Sequence, residues 1–123
     1  MAFNEDVLEI VRLIPSGHFT TYGELAKAAG SSTRVQQVGP LVRKHAAPDS
    51  HRIVRKGDWR YEKRFEVSRD FVVAEGGFSH AITRLKDEGI DVSEAGVITA
   101  TKGYLDAAAL TLLRVAAESA SSP

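Results

Sequence analysis

The chain has 123 residues, a length that suits one domain, residues 1–123, with its own core. It has no cysteine, which excludes disulfides, thiolate metal sites and a thiol nucleophile. Its 16 basic and 16 acidic residues cancel, so it is not a uniformly basic nucleic-acid binder. No apolar run approaches the roughly 18 residues that cross a bilayer, and the acidic start MAFNEDVLEI does not resemble a signal peptide. We therefore expect a cytoplasmic protein without membrane contacts.

The charge is concentrated in the middle of the chain. Residues 34–64 contain nine basic and three acidic residues, which gives a net charge of +6, and the other residues carry −6. A basic segment on a neutral chain is typical of a protein that contacts phosphates with one face. The alternative is a charged hairpin that is simply solvated.

Two helices are predicted at the start of the chain. Apolar residues at helical spacing indicate a helix over residues 4–13, and Pro15 ends it. Thr21 and Glu24 then form a capping-box pattern, in which each side chain accepts a hydrogen bond from the other residue's amide. This pattern predicts a second helix over residues 22–28.

The third predicted helix completes a helix-turn-helix. Gly30 is suited to end the second helix in the left-handed conformation. Ser31 or Ser32 then caps a helix over residues 33–44. The dipeptide Gly39–Pro40 lies in the middle of this helix, and the proline is expected to kink the helix or to break its hydrogen bonding.

A hairpin, or wing, is predicted after the third helix. Residues 51–55 alternate polar and apolar side chains, as a strand does, and Gly57–Asp58 is a turn signal. Residues 59–61 begin the return, and a second extended piece is expected within residues 63–73. A fourth helix over residues 80–87 follows.

The last part of the chain is predicted to close the domain. Short strands are expected at residues 90–92 and 96–99, and an alanine-rich helix at residues 106–118. The whole pattern indicates an α+β domain that is mostly helical, with a winged helix-turn-helix.

Six segments carry a resemblance to a known family. They are Ile14–Gly17, Thr21–Ala26, Gly30, Val38–Gly39, His51–Val54 and Arg84–Ile90. In order and spacing, residues 3–104 are similar to the DNA-binding domain of O6-alkylguanine-DNA alkyltransferases, and more so to their cysteine-free relatives, the alkyltransferase-like proteins. The resemblance implies the winged helix-turn-helix of that family. It also implies a protein that recognises O6-alkylguanine by base flipping and flags it for nucleotide excision repair.

Ser50 stands where the repair enzymes have the cysteine that accepts the alkyl group. A serine hydroxyl is too weakly acidic to replace a thiolate without strong activation, so we expect no enzyme activity. A relay of Ser50, His51 and Glu88 is the alternative. The resemblance implies instead that His51 and Glu88 form a buried network. Tryptophan is common at this position in the alkyltransferase-like proteins, so Ser50 departs from that pattern too.

Two further positions bear on base flipping. Tyr22 matches the tyrosine that presses on the phosphate of the target nucleotide, whose extrusion costs a few kcal/mol; an aromatic side chain packed on the core is the alternative. Gln36 matches the arginine that the family inserts into the vacated space in the minor groove. It can hydrogen-bond the orphaned base but supplies no positive charge. Arg34 lies two positions earlier, about 200° around the helix.

The predicted site has two parts. The DNA-binding residues are Tyr22, Arg34, Gln36, Gln37, Gly39, Arg43, Lys44, Arg55 and Lys56. The lesion pocket comprises Tyr22, Ser50, His51, Arg52, Trp59, Gly77 and Phe78. The expected partners are double-stranded DNA and nucleotide excision repair proteins, the protein is expected to be a monomer, and no cofactor or metal is predicted.

Two other functions remain open from the sequence. One is a winged-helix protein, regulatory or architectural, that binds DNA without lesion preference, which Gln36 and Ser50 favour. The other is a protein-interaction module on a retired repair scaffold, for which the alanine-rich segment Ala107–Ala117 is the supporting feature.

Overall fold

The computed structural model describes residues 3–44, 50–57, 64–67 and 78–121. Five α-helices lie in these ranges: α1 (Phe3–Leu13), α2 (Tyr22–Ala28), α3 (Val35–Lys44), α4 (Phe78–Asp87) and α5 (Ala107–Ser121). Four short strands accompany them: β1 (Thr20–Thr21), β2 (Ile53–Lys56), β3 (Phe65–Val67) and β4 (Val97–Ile98). Single 3₁₀ turns at Ser32–Arg34 and Ser50–Arg52 precede α3 and β2.

The strands form one sheet in the order β1-β2-β3-β4. β1 and β2 are parallel, and the other neighbours are antiparallel. Val54 pairs with Val67, and the amide of Gly57 donates to the carbonyl of Arg64 at 2.9 Å, so β2 and β3 form the two strands of the wing. β3 lies within the extended piece predicted at residues 63–73, whereas the return predicted to begin at residues 59–61 lies outside the described residues. Trp59 and the rest of the connection lie outside the described residues.

The core has two parts. The first lies among α1, α2, α3 and α5 and includes Val7, Ile10 and Leu25, all fully buried. The second lies between the sheet and α4, where the rings of Phe19 and Phe65 meet edge to face at 5.0 Å. Each helix buries one apolar stripe, as its sequence spacing predicts.

α2 begins and ends at the predicted residues. The amide of Glu24 donates to the hydroxyl of Thr21 at 3.3 Å, which is half of the capping box. The Glu24 carboxylate accepts instead from the amide of Ala107 at 3.0 Å, and so ties α2 to the first residue of α5. Gly30 has φ +100°, and the amides of Gly30 and Ser31 donate to carbonyls in the last turn of α2, which completes a Schellman cap.

α3 differs from its prediction in two respects. Its first predicted residues form a 3₁₀ turn, and Ser31 is the N-cap residue but makes no capping bond with its side chain. The helix then runs through Pro40 to Lys44, so the proline does not end it and its effect is limited to the hydrogen bond that it cannot donate. Pro40 is exposed, and so is Gln36, whose carbonyl loses its donor to the proline. Water can therefore satisfy that carbonyl.

Other predicted boundaries also shift. The strand predicted from residue 51 starts at Ile53, because the two residues before it belong to the 3₁₀ turn. The strand predicted at residues 90–92 is absent from the described elements. Ile90 and Val92 are buried under the sheet and α4 without a strand partner, so their alternation reflects burial alone.

α5 is longer than predicted and packs on α1 and α2. Its Leu110 is fully buried, and its Arg114 forms an ion pair with Asp6 of α1. Leu112 and Val115 on its outer face are exposed. No helix in the described part of the chain is long and apolar enough to cross a bilayer.

Candidate nucleic-acid interface

α3 turns one polar face to solvent. The residues that it buries are Val38, Leu41 and Val42. The residues that it exposes are Gln36, Gln37, Pro40, Arg43 and Lys44. The apolar stripe fixes the helix on α1 and α2 and so determines which side chains face outward.

An open groove of about 640 Å³, here called the Tyr22 groove, runs along one side of α3. It is lined by Tyr22, Val35, Gln36, Gly39, Pro40, Arg43 and Arg55. A Cβ atom built on Gly39 would lie 3.8 Å from Cε1 of Tyr22, so the tyrosine ring rests close to the bare backbone of α3. Glycine therefore keeps the floor of this groove flat.

A second groove, the Lys44 groove, runs along the other side of α3. It has a volume of about 340 Å³ and is lined by Asn4, Gln36, Gln37, Pro40, Leu41 and Lys44. Gln36 and Pro40 line both grooves and so form the ridge between them. A ridge with a cation-bearing groove on each side suits a helix laid in the minor groove, with one phosphate backbone on each flank.

The charges in the grooves are available to a ligand. The side chains of Arg43 and Arg55 are exposed and make no hydrogen bond or ion pair with any residue in the described ranges. Arg34 is different, since its guanidinium carbon lies 5.4 Å from the centre of the Phe3 ring. It lines neither groove, so the structure does not bring this predicted DNA-binding residue to α3's outer face.

Asn4 and Val35 also line the grooves, and neither was predicted from the sequence. Asn4 belongs to α1, and only the packing of α1 beside α3 brings it to the Lys44 groove. Val35 lies at the start of α3 and is only partly buried. No local pattern indicates either position.

Behind the wing, a network of charged groups holds the Ser50–Arg52 turn. His51 Nε2 lies 2.7 Å from Glu88 Oε2, and Arg52 donates to both oxygens of the same carboxylate at 2.7 to 3.2 Å. Arg52 also donates to the carbonyl of Ile14 at 2.8 Å, and the amide of Gly17 donates to Glu88 at 3.3 Å. The turn is thereby fixed to α4 and to the end of α1.

The network contains a neutral histidine and an ionised glutamate. Burial lowers the pKa of His51 below its ordinary value, and the Glu88 carboxylate offsets this only in part. Burial alone would raise the pKa of Glu88, but the hydrogen bonds from Arg52 and His51 outweigh it and lower the pKa to about 2. A carboxylate only accepts, so the His51 proton is on Nε2.

Ser50 is not arranged as a nucleophile. Its side chain is buried, with 1% of the residue exposed. In the alternative relay the hydroxyl would donate to Nδ1 of His51, since Nε2 faces Glu88. Nδ1 has no hydrogen-bond partner in the part of the chain that the structure describes. The Ser50, His51 and Glu88 relay is therefore not assembled.

The other residues of the predicted lesion pocket are only partly placed. Tyr22 packs against the first part of the core. Phe78 packs in the second part, where its ring lies against Gly96. The structure does not bring Phe78 to the Tyr22 groove, and Trp59 and Gly77 lie outside the described residues.

Comparison with known proteins agrees with this geometry. Residues 2–89 match the family described as "6-O-methylguanine DNA methyltransferase, DNA binding domain". The chain belongs to this family. The alkyltransferase-type fold predicted from the sequence, α+β and mostly helical, is confirmed.

Individual members of the family are also similar to this chain. It is 38% identical over 58 residues to the DNA base-flipping protein of Escherichia coli K12, and the same values hold for that of Shigella flexneri. These alignments span 45% of this chain and 45% of each relative. The crystal structure of S. pombe Atl1 in complex with damaged DNA containing O6-carboxymethylguanine matches with a TM-score of 0.61 and 25% identity, over 84% of this chain and 93% of that chain.

Proposed function

We propose that this protein recognises O6-alkylguanine in double-stranded DNA by base flipping and does not repair it. The observation that carries the proposal is the ridge of Gln36 and Pro40, with the Tyr22 groove on one side and the Lys44 groove on the other. Membership in a DNA-binding family supports it. So does the likeness to Atl1, whose structure holds DNA with an alkylated guanine.

In this proposal α3 enters the minor groove. Arg43 contacts one phosphate backbone, with Arg55 beside it, and Lys44 contacts the other. Phosphate contacts of this kind set the position of a protein on DNA but carry no sequence information. Tyr22 stands beside the first backbone and opposes the return of a nucleotide that has rotated out of the stack.

The absence of repair follows from Ser50. Transfer of an alkyl group requires a nucleophile that attacks the alkyl carbon, and a buried serine hydroxyl that is not hydrogen-bonded to Nδ1 of His51 is too weak for this attack. We infer that the protein acts as a monomer and that its long-lived complex with the lesion recruits nucleotide excision repair proteins. In a reconstituted incision reaction, the protein should then raise the rate of incision at O6-methylguanine.

The second candidate function is DNA binding without lesion preference. It is favoured by Gln36, which lines both grooves and offers no positive charge to the vacated space. Under this alternative the same ridge and grooves bind any duplex, and Tyr22 serves only as a wall of the groove.

The fate of the lesion tests recognition without repair. The protein is mixed at equal concentration with a duplex that contains one O6-methylguanine, and the mixture is incubated until binding is complete. We expect the nucleoside analysis to recover all the O6-methylguanine and mass spectrometry to find the protein unchanged. A gain of one methyl group on the protein would contradict the proposal.

Docking in the minor groove is tested by competition. An excess of a small minor-groove ligand should displace the protein from the duplex. A complex that resists the ligand would exclude minor-groove docking.

A further inference from the structure

The Tyr22 groove continues past Arg55 into a second pocket. This adjacent pocket has a volume of about 390 Å³ and lies between the start of α2 and the wing. Tyr22, Val35 and Arg55 line both the groove and the pocket. Arg55 therefore stands at the junction of the two, beside Tyr22.

The sheet fixes this neighbourhood. Thr21 at the end of β1 pairs with Val54 of β2 in a parallel register. Tyr22 directly follows Thr21, and Arg55 directly follows Val54. Neighbouring strands lie about 4.8 Å apart. Arg55 is also held from the other side, because it pairs with Glu66 of β3. The backbone of Arg55 is thus set beside Tyr22 by strands on both sides.

The charge of Arg55 is uncommitted. Its side chain is exposed and makes no hydrogen bond or ion pair within the described ranges. Glu24 is the only acidic residue among the described residues that line the groove or the adjacent pocket, and its carboxylate accepts from the amide of Ala107. The carboxylate of Glu66, opposite Arg55 on β3, is paired with Arg64 at 3.4 Å. A phosphate at the junction therefore meets Arg55 without breaking an ion pair of that arginine in the described ranges.

The position on α3 from which the family inserts its arginine offers no cation to the space that an extruded base leaves. Gln36 is neutral, and Arg34 is stacked on Phe3 of α1. We propose that Arg55 supplies the missing positive charge from outside the stack: with Tyr22, it grips the phosphate of the extruded nucleotide. This inference rests on the proposed function, because it assigns the residue that stabilises the extruded state.

The two arginines of the groove then have different effects. A guanidinium binds phosphate through two parallel hydrogen bonds, which makes the contact strong and dependent on geometry. Arg55 engages the phosphate only after it has rotated toward Tyr22, whereas Arg43, on α3, contacts the backbone in both states. Only a contact that differs between two states shifts their equilibrium. Arg55 should therefore control extrusion, and Arg43 overall affinity.

The test uses the full chain and duplexes with O6-methylguanine or guanine at the target position. In each duplex 2-aminopurine is the neighbouring base, which loses a stacking partner when the target base is extruded. Three variants are compared: Arg55→Gln, Arg43→Gln from the same groove, and Arg64→Gln, a wing arginine paired with Glu66 at 3.4 Å and outside both grooves. Thermal unfolding checks that each variant folds. We expect Arg55→Gln to lower the preference for O6-methylguanine about tenfold, as for a lost hydrogen bond to a charged group. The 2-aminopurine fluorescence at saturating protein should fall with it.

The other variants make the result specific. Arg43→Gln should weaken binding to lesion and unmodified duplexes equally and leave the saturated fluorescence unchanged. Gln36→Arg should restore the preference in the Arg55→Gln background and add less to the unsubstituted protein, because either arginine suffices. Equal effects of Arg55→Gln and Arg64→Gln would overturn the assignment. So would an equal gain from Gln36→Arg in both backgrounds.

The fluorescence measured with the unsubstituted protein distinguishes a failure of the Arg55 assignment from a failure of base flipping. If it raises the fluorescence of 2-aminopurine and Arg55→Gln does so equally, only the role of Arg55 is lost. If the unsubstituted protein saturates the duplex without any rise, base flipping itself is excluded, and the inference fails with it.

Discussion

Glu88 connects three parts of the molecule through one carboxylate. It receives hydrogen bonds from His51, Arg52 and the amide of Gly17. Its side chain and that of Arg52 are each 11% exposed. In such surroundings a single missing partner leaves an uncompensated charge, which costs far more than the loss of a surface ion pair.

The pH dependence of stability should report this network. A carboxyl group with a pKa of 4.5 when unfolded and about 2 when folded contributes about 3 kcal/mol to the free energy of unfolding. Because the folded pKa is lowered, this stability is complete above pH 4.5 and is lost as the pH falls toward 2. His51 also has a lowered pKa, so its contribution is complete above about 6.5 and declines below that value. Urea unfolding across this range should show both declines.

The matched substitutions are Glu88→Gln and Asp6→Asn. At neutral pH Glu88→Gln should lower the free energy of unfolding by about 3 to 5 kcal/mol and flatten the decline below pH 4.5. Asp6→Asn removes the ion pair with the more exposed Arg114 and should cost at most about 1 kcal/mol. Equal losses from the two substitutions would show that the Glu88 network is no stronger than a surface pair.

At the scale of elements, α3 must be a stable helix and must also lack a side chain at Gly39, on the floor of the Tyr22 groove. Gly39 is unfavourable in a helix, but it leaves the floor of the Tyr22 groove open. A Cβ atom at this position would lie 3.8 Å from Tyr22 and 3.9 Å from Arg43, which are ordinary contacts. The folded chain therefore has room for an alanine, whereas a DNA backbone pressed into the groove would meet it.

Gly39→Ala should accordingly change stability and binding in opposite directions. We expect the free energy of unfolding to rise by about 0.5 to 1 kcal/mol, because alanine is the better helix former. The affinity for duplex DNA should fall. Urea unfolding and fluorescence anisotropy on the same sample measure the two effects. Unchanged affinity would mean that DNA does not approach the floor of this groove.

The helices could be predicted from short sequence patterns such as caps. The partners of individual side chains could not, because those partners lie far away in the sequence. Thr21 caps the start of α2 and Gly30 its end, as predicted, because a cap depends only on neighbouring residues. Arg34 was assigned to DNA, but Phe3 of α1 holds it. Glu24 was assigned to its own helix, but the amide of Ala107 binds it. Each of these partners is set by packing, which one sequence does not reveal.

At the scale of the whole molecule, the neutral chain gathers four of its 16 basic residues along α3 and the start of the wing. Arg43, Arg55, Lys44 and Lys56 line the two grooves and the adjacent pocket. If each of the four residues contacts one phosphate, the logarithm of the affinity should fall with the logarithm of the salt concentration with a slope of about −3.6, since each contact contributes about −0.9. Anisotropy titrations at several salt concentrations measure it. A slope near zero would leave only the protein-interaction alternative for this scaffold.

Lesion preference is the central claim, and a paired titration tests it most directly. Two duplexes of the same sequence, one with a central O6-methylguanine and one with guanine, are titrated in the same buffer at about 0.1 M salt, where surface charges are screened beyond about 10 Å. We expect the alkylated duplex to bind at least about tenfold more tightly, which corresponds to about 1.4 kcal/mol. Equal, salt-sensitive affinities for the two duplexes would contradict lesion recognition and leave a winged-helix protein that binds DNA of any kind.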